Sequence, residues 1–180
     1  MDEIVKAALK KWPNVPHAWG WLALDARGDW WLRDEAAQAA GPFPRSRGSR
    51  VEHDVLREFI GRNYAADERG AWFFQNGPQR VYVELEAAPW VWRLHEQAAG
   101  AAPRLVSHTG RDARFEAALL DEQGRLFLAT DLGLGLVHPQ DMHLAAAAVE
   151  SGAWPVQELP FAELPGRHGY RLSPEQEKST

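Results

Sequence analysis

Three times along this chain an aspartate is followed three residues later by a glycine with apolar residues to either side, and this recurrence limits the fold more than any other feature. The copies are Leu24-Asp25-Ala26-Arg27-Gly28-Asp29-Trp30-Trp31-Leu32, Ala66-Asp67-Glu68-Arg69-Gly70-Ala71-Trp72-Phe73-Phe74 and Leu120-Asp121-Glu122-Gln123-Gly124-Arg125-Leu126-Phe127-Leu128. An aspartate at the first position of a type I turn accepts hydrogen bonds from the amides of that turn. The glycine supplies the left-handed backbone that lets the returning strand pair with the correct twist. Each copy therefore reads as a β-hairpin. Two explanations stand side by side: duplicated units, or three independent acidic turns.

A chain of 180 residues makes about one domain or two small ones. With 45% hydrophobic and 25% charged residues it has the composition of a folded globular protein rather than a disordered one. Its net charge of −5 argues against bulk electrostatic attachment to a nucleic acid polymer or an anionic membrane. The absence of cysteine excludes disulfides, thiolate catalysis and cysteine-ligated metal. The start, Met1-Asp2-Glu3-Ile4-Val5-Lys6, is acidic and unlike a signal peptide, and no apolar run approaches the ~18 residues of a membrane helix. The expectation is a cytoplasmic, soluble protein. Tryptophan is the anomaly: there are nine, with Trp19 and Trp21, Trp30 and Trp31, and Trp90 and Trp92 in local groups. Each buries ~150–250 Å² when packed.

Helices flank the hairpins. Ile4, Val5, Ala8, Leu9 and Trp12 share one helical face, ended by Pro13. Ser49 and Glu52 form a capping-box pattern ahead of Val51, Val55, Leu56, Phe59 and Ile60, which predicts a second helix over about 50–62. His138-Pro139-Gln140-Asp141 opens a third, ended by Gly152. Between the last two the signals are strand: Val81, Val83 and Leu85 alternate with Tyr82, Glu84 and Glu86, and Trp90, Trp92 and Leu94 share a face. The Gly- and Ala-rich stretch 97–103 is a loop. The fold class is α+β with mainly antiparallel sheets and duplicated hairpin-plus-helix motifs. A boundary near Arg62–Tyr64 gives a helix–hairpin–helix domain over 1–62 and an antiparallel β domain over 63–172, a curved sheet or partial barrel closed by its terminal helix. Residues 173–180 read as a frayed tail.

The run from Asp67 to Trp92, with Gly77-Pro78-Gln79-Arg80-Val81-Tyr82-Val83 and Glu86-Ala87-Ala88-Pro89-Trp90, resembles a bacterial family called domain of unknown function 1285. Gly28-Asp29-Trp30, Gly41-Pro42, the helix Val55-Leu56-Arg57-Glu58-Phe59, and Leu128-Ala129-Thr130-Asp131-Leu132-Gly133 with His138-Pro139 fit the same pattern. The resemblance covers most of residues 20–145. It implies a motif duplicated across two domains, the second superficially like a pleckstrin-homology fold. It also implies a nucleotide-like ligand at the domain interface and a signalling role without known catalysis. A longer Arg-containing loop, Arg45 to Arg50, and far more tryptophan depart from the pattern.

Arg45-Ser46-Arg47-Gly48-Ser49-Arg50 places three guanidinium groups before a predicted helix start, a pattern for holding an anion that has an equally simple reading as a solvated basic loop. It lacks the lysine and spacing of a phosphate-binding loop. Gly133-Leu134-Gly135 is a lone GxG without strand–turn–helix context, better read as a turn or bulge, with Thr130 and Asp131 just before it. His138 and His143 are five apart, a poor spacing for zinc. Glu84 and Glu86 share a strand face about 7 Å apart by strand rise, loosely a glycosidase separation, although two carboxylates on a solvated face are the simpler reading. Trp30 and Trp31 point to opposite faces, so one is free to line a cleft and stack on a ring.

The functional expectation is a non-catalytic regulatory protein without cofactor or metal, binding a small anionic, nucleotide-like ligand. Arg45, Arg47, Arg50 and Arg80 would meet the anion, Trp30 or Trp31 a ring, and Asn76, Thr130 and Asp131 the remaining polar groups. The alternatives are a protein-interaction module that exposes its tryptophans to a protein partner, and a hydrolase using Glu84 and Glu86.

Overall fold

The computed structural model describes residues 1–178. The chain divides into two compact units. The first takes Met1–Asp25, Asp29–Glu86 and the stretch from Gly169 onward; the second takes Ala26–Gly28 and Ala87–His168.

The first unit opens with helix α1 (Glu3–Lys11) and continues through β1 (Ala18–Leu24), β2 (Trp30–Leu32), α2 (Glu35–Ala39), β3 (Ser49–Arg50), α3 (Asp54–Arg62), β4 (Tyr64–Ala66), β5 (Trp72–Asn76) and β6 (Gln79–Leu85). Its six strands form one sheet in the order β3-β2-β1-β6-β5-β4. The second unit contains β7 (Trp90–His95), β8 (Arg104–Ser107), β9 (Asp112–Ala113), β10 (Phe115–Leu120), β11 (Leu126–Thr130) and β12 (Gly133–Val137). A 3-10 turn over Pro139–Asp141, helix α4 (Met142–Glu150), β13 (Val156–Glu158), a 3-10 turn over Phe161–Glu163 and helix α5 (Leu164–His168) follow. Here the order is β13-β10-β11-β12-β7-β8-β9. Set β13 aside and the two sheets have one topology: two three-strand meanders, joined where the last strand of the second runs parallel to the first strand of the first. That joint is β1 with β6 in one unit and β7 with β12 in the other.

The class is therefore α+β, but both sheets are mixed, with parallel pairs β1–β6, β7–β12 and β10–β13 among antiparallel ones. The sheet also crosses Arg62–Tyr64, because β6 hydrogen-bonds to β1; the helix–hairpin–helix over 1–62 is part of a larger sheet and not a separate body. Short turns announce antiparallel neighbours, whereas a parallel pair is made by segments far apart in sequence and leaves no local signal. The tail is corrected too. After Ser173, helix α6 (Pro174–Glu177) forms, with the Ser173 side chain accepting from the Gln176 amide, and Pro174 is buried. Ser179 and Thr180 lie outside the described residues.

All three Asp-x-x-Gly segments are hairpin turns of one design, and a fourth joins them. At Asp25, Asp67, Ser107 and Asp121 the backbone N–H donates to the carbonyl four residues on, at 3.1, 2.9, 2.8 and 3.1 Å. The side-chain oxygen of the same residue accepts from the amide at that far position: Asp29 at 2.9 Å, Ala71 at 3.0 Å, Arg111 at 3.1 Å and Arg125 at 2.8 Å. Gly28, Gly70, Gly110 and Gly124 all take φ between 75° and 85°. Serine offers the same acceptor as aspartate, so Ser107-His108-Thr109-Gly110 makes the turn without the carboxylate that marks the others in sequence.

The helices differ in detail from the reading by periodicity. In α1, Val5 is buried and Ala8 and Leu9 partly so, but Ile4 is 75% and Trp12 50% exposed, so the apolar stripe is uncovered at both ends. Ser49 is not a helix cap: it lies in β3 opposite Leu32, and α3 begins at Asp54 with His53 at its N-cap. The third helix follows expectation, opened by the Pro139 turn with the Gln140 amide donating to His138 Nδ1 at 3.1 Å.

Each core is organised around a buried polar group. In the first unit Arg33, 1% exposed, donates to the carbonyls of Ser46 (3.0 Å), Gly20 (3.2 Å), Gly41 (2.6 Å) and Ala37 (3.5 Å), closing the 34–48 loop against β1. In the second, Asp141 accepts from Arg93 Nε (2.6 Å), Arg93 Nη2 (3.1 Å) and the Leu94 amide (3.0 Å). The Arg93 guanidinium holds the Asp141 carboxyl below the usual carboxylate range. Trp90 and Trp92 stack at 6.0 Å and donate from Nε1 to the carbonyls of Leu132 (2.8 Å) and Leu128 (3.1 Å). They fit because β12 has no side chain at Gly135, where a Cβ would lie 2.3 Å from Trp92 Nε1. The lone GxG is thus a packing notch.

His108 packs against Trp90 and accepts the Val91 amide on Nδ1 at 3.3 Å. The residue keeps some surface, but its Nε2 is buried. Burial lowers its pKa to about 3.

Two predictions follow from these groups. Arg33→Met strands several carbonyls, and since a hydrogen bond to a charged donor contributes ~1.5–3 kcal/mol, urea unfolding should register a loss of at least about 3 kcal/mol. Because the folded pKa of His108 lies below its unfolded value near ~6.5, the unfolded chain takes up a proton in acid that the folded ring refuses. Its contribution is therefore whole above about pH 6.5 and erodes as the pH falls toward about 3, by up to ~1.4 kcal/mol per pH unit. Unfolding curves at pH 7, 5 and 4 should show this slope, flattened in His108→Gln.

Candidate functional site

The residues singled out in sequence do not share one environment. Trp30 is core: it is 2% exposed and meets Tyr64 edge-on at 5.1 Å, so neither face is open to stack on a ligand. Trp31, half-buried, donates from Nε1 to Asp25 at 2.9 Å and lies under the Arg47 guanidinium at 5.5 Å. Arg47 also pairs with Glu86 at 3.1 Å and Asp25 at 3.4 Å, and Arg50 with Glu52 at 3.3 Å and Asp29 at 3.7 Å. Arg45 is exposed. The structure thus gathers Trp31, Arg47 and Arg50, but surrounds the two guanidiniums with four carboxylates, leaving no excess of positive charge for an anion.

Arg80 lies over Phe73 at 4.4 Å, and Asn76 is exposed at the end of β5. Thr130 and Asp131 belong to the second unit and are engaged in their own turn. Thr130 Oγ1 donates to the Gly133 carbonyl and accepts from the Leu132 amide, both at 3.0 Å. Asp131 accepts from the Arg114 amide at 2.8 Å and from Arg114 Nε at 3.3 Å, and that amide above all lowers its pKa.

Glu84 and Glu86 are not a solvated pair. Glu84 is 4% exposed, burial raises its pKa, and it accepts from the Glu175 amide at 3.1 Å, fastening α6 to β6. Glu86 faces Arg47. Neither lines the two first-unit cavities described next. Of the two spaced histidines, His138 caps the Pro139 turn and His143 is exposed. No group of three or more metal-binding side chains is assembled among the described residues.

Both of these cavities arise from an irregularity in β1. Ala18 pairs with Val81 and Leu22 with Val83, so residues 19–21 bulge opposite Tyr82 alone. Gly20 sits in the bulge at φ 81°, where a Cβ would lie 2.7 Å from a Glu175 carboxylate oxygen. In a regular strand Trp19 and Trp21 would share a face. Here Trp19 stacks on Tyr82, with centroids 5.2 Å apart and planes 9° apart, while Trp21 lines a cavity with Val81, on the other face of β6.

The Trp19 side holds a cavity of about 430 Å³ lined by Trp19, Tyr82 and Ala71, the cations Arg69, Arg171 and Lys178, and Pro174 and Glu177 of α6. Lys178 Nζ lies 4.1 Å from the Trp19 ring, and His17 meets both aromatic rings edge-on at 5.7 Å. Desolvation, then the charge of Arg80, lowers the His17 pKa. Arg171 donates to the Arg69 carbonyl at 2.8 Å and pairs with Glu177, and the Tyr82 hydroxyl donates to Asp67 at 3.1 Å. Sequence reasoning missed this constellation, since Trp19 and Lys178 come from opposite ends of the chain and meet through the bulge and α6.

No helix among the described residues is long and apolar enough to cross a membrane. No curated protein matches the chain. Two solved structures are similar to this chain. One is a DUF1285 family protein from Silicibacter pomeroyi DSS-3, 13% identical, covering 79% of this chain and 82% of its own with a TM-score of 0.49. The other is a DUF1285 family protein from Shewanella baltica OS155, also 13% identical, covering 71% of this chain and 91% of its own with a TM-score of 0.49. A family model described as "Protein of unknown function (DUF2946)" matches residues 1–175, and the chain belongs to that uncharacterised family, DUF2944.

Proposed function

We propose that this chain is a non-catalytic regulatory protein that binds a small anionic, nucleotide-like ligand in the Trp19 cavity of its first unit. The observation that carries this reading is an aromatic wall, Trp19 on Tyr82, bordered by Arg69, Arg171 and Lys178 in a space of about 430 Å³. That volume falls in the ~300–1,000 Å³ range of small-molecule sites. A flat ring takes the indole face now covered by Lys178, whose ammonium moves to the anion, and Arg171 exchanges Glu177 for the same anion. The Arg45–Arg50 loop, which the sequence favoured, is left out because its Arg47 and Arg50 already face carboxylates and Arg45 is exposed.

The two units are, on this proposal, copies of one six-strand unit. Their common strand order supports it, as does the turn between the fourth and fifth strands of each, Asp67–Gly70 in one and Asp121–Gly124 in the other. Family sequences in which those two stretches vary with no common pattern would count against it.

Thermal unfolding against nucleoside mono- and diphosphates, with inorganic phosphate as control, tests the ligand. One bound ligand at 100 times its dissociation constant should stabilise the fold by ~2.7 kcal/mol. Trp19→Ala and Lys178→Glu should abolish the shift, and Arg47→Ala should leave it. No shift with any nucleotide, or one that survives both cavity variants, overturns the proposal.

A further inference from the structure

The opposite face of the first sheet carries a second cavity of a different character. It measures about 460 Å³; its floor includes Val81 and Phe74, Trp21 and Leu32 stand on one side, and Leu56 and Phe59 of α3 on the other. Trp21 is 44%, Leu32 47% and Leu56 36% exposed, an unusual cost for three large apolar side chains sharing one cleft. Among the residues lining it, none carries a charge, and the polar side chains are the amides of Asn76 and Gln79 at the β5–β6 turn. Gln79 is fixed by donating Nε2–H to the Pro16 carbonyl at 3.1 Å.

We infer that this cleft is a second binding site, for a neutral, largely apolar small molecule with one hydrogen-bonding group. Charge complementarity selects the occupant. A carboxylate or ammonium brought here would lose hydration and find no counter-charge, whereas a hydroxyl, carbonyl or amide meets the Asn76 or Gln79 amide. The volume is that of a small-molecule site, and aromatic and branched aliphatic walls with a few polar groups at one end are the usual lining of such a site. The site is independent of the Trp19 cavity because the two lie on opposite faces of one sheet and share no lining residue.

Two probes with the same tail separate the chemistry: decanol and decanoate at pH 8, each competing against Nile red, a neutral dye, with energy transfer from tryptophan as the signal. Decanol should displace the dye at least ten times more effectively than decanoate. Leu32→Glu and Leu56→Glu, at side chains already part-exposed, should weaken dye binding at least tenfold while melting temperature and circular dichroism stay close to the parent's; Trp19→Ala should not affect it. Equal or better displacement by decanoate overturns the inference, as does dye binding unchanged in both glutamate variants. A dimer in sedimentation that Leu56→Glu dissociates also overturns it, since a second copy then covers the face. The decanol and decanoate comparison uses the unaltered protein and stands even if a variant fails to fold. Failure of nucleotides to bind leaves this result untouched, because the two experiments read different faces.

Discussion

The first unit depends on the parallel pairing of β1 with β6. It joins two meanders, separated in sequence by helix α3, into one sheet, and every other strand of the unit hangs from that seam. The seam is imperfect in one place, where residues 19–21 stand opposite Tyr82 alone. A bulge of this kind changes which way successive side chains point without breaking the sheet. Its effect here is to send the two tryptophans of β1 to opposite faces of the sheet, Trp19 to the cationic side and Trp21 to the apolar side. Two cavities with unlike chemistry follow from one local misregister.

A second constraint is where the charges go. Arg33 is sunk among backbone carbonyls, Arg93 clasps Asp141, and Arg47 is held between Asp25 and Glu86. Buried or half-buried guanidiniums need such partners, since an unpaired charge away from water is costly. These three guanidiniums are thereby committed to holding loops and a helix start in place. The cations beside Trp19, namely Arg69, Arg171 and Lys178, come from separate parts of the chain, so the sequence order of the basic residues is a poor guide to how they group.

Local signals in the sequence were read well where the physics is local. The Asp25, Asp67 and Asp121 turns, the Pro139 helix start and the strand through Val81–Leu85 each depend on a handful of adjacent residues, and each appears in the fold, although that strand is buried on both faces rather than alternating, with Tyr82 and Glu84 inside. The Ser107 turn escaped because its acceptor is a hydroxyl, and the capping box at Ser49 misled because β2 claims that residue as a strand partner. The parallel seams, the buried role of Arg33 and the return of the chain end to Glu84 are products of long-range packing. No window of neighbouring residues contains them. Of the expected ligand residues, Trp31, Arg47 and Arg50 do assemble, but apart from Glu52 their carboxylate partners sit elsewhere in the sequence, and only the folded chain reveals the neutralisation.

The notch at Gly135 ties three positions into one unit of heredity. The stacked indoles of Trp90 and Trp92 occupy the volume that any larger residue at 135 would need. Enlarging that residue alone would force the rings off their carbonyl acceptors, while shrinking an indole alone would open a void in a packed interior. Change at these sites should therefore come in compensating pairs, so that across the family a bulkier residue in place of the glycine travels with a smaller ring opposite it.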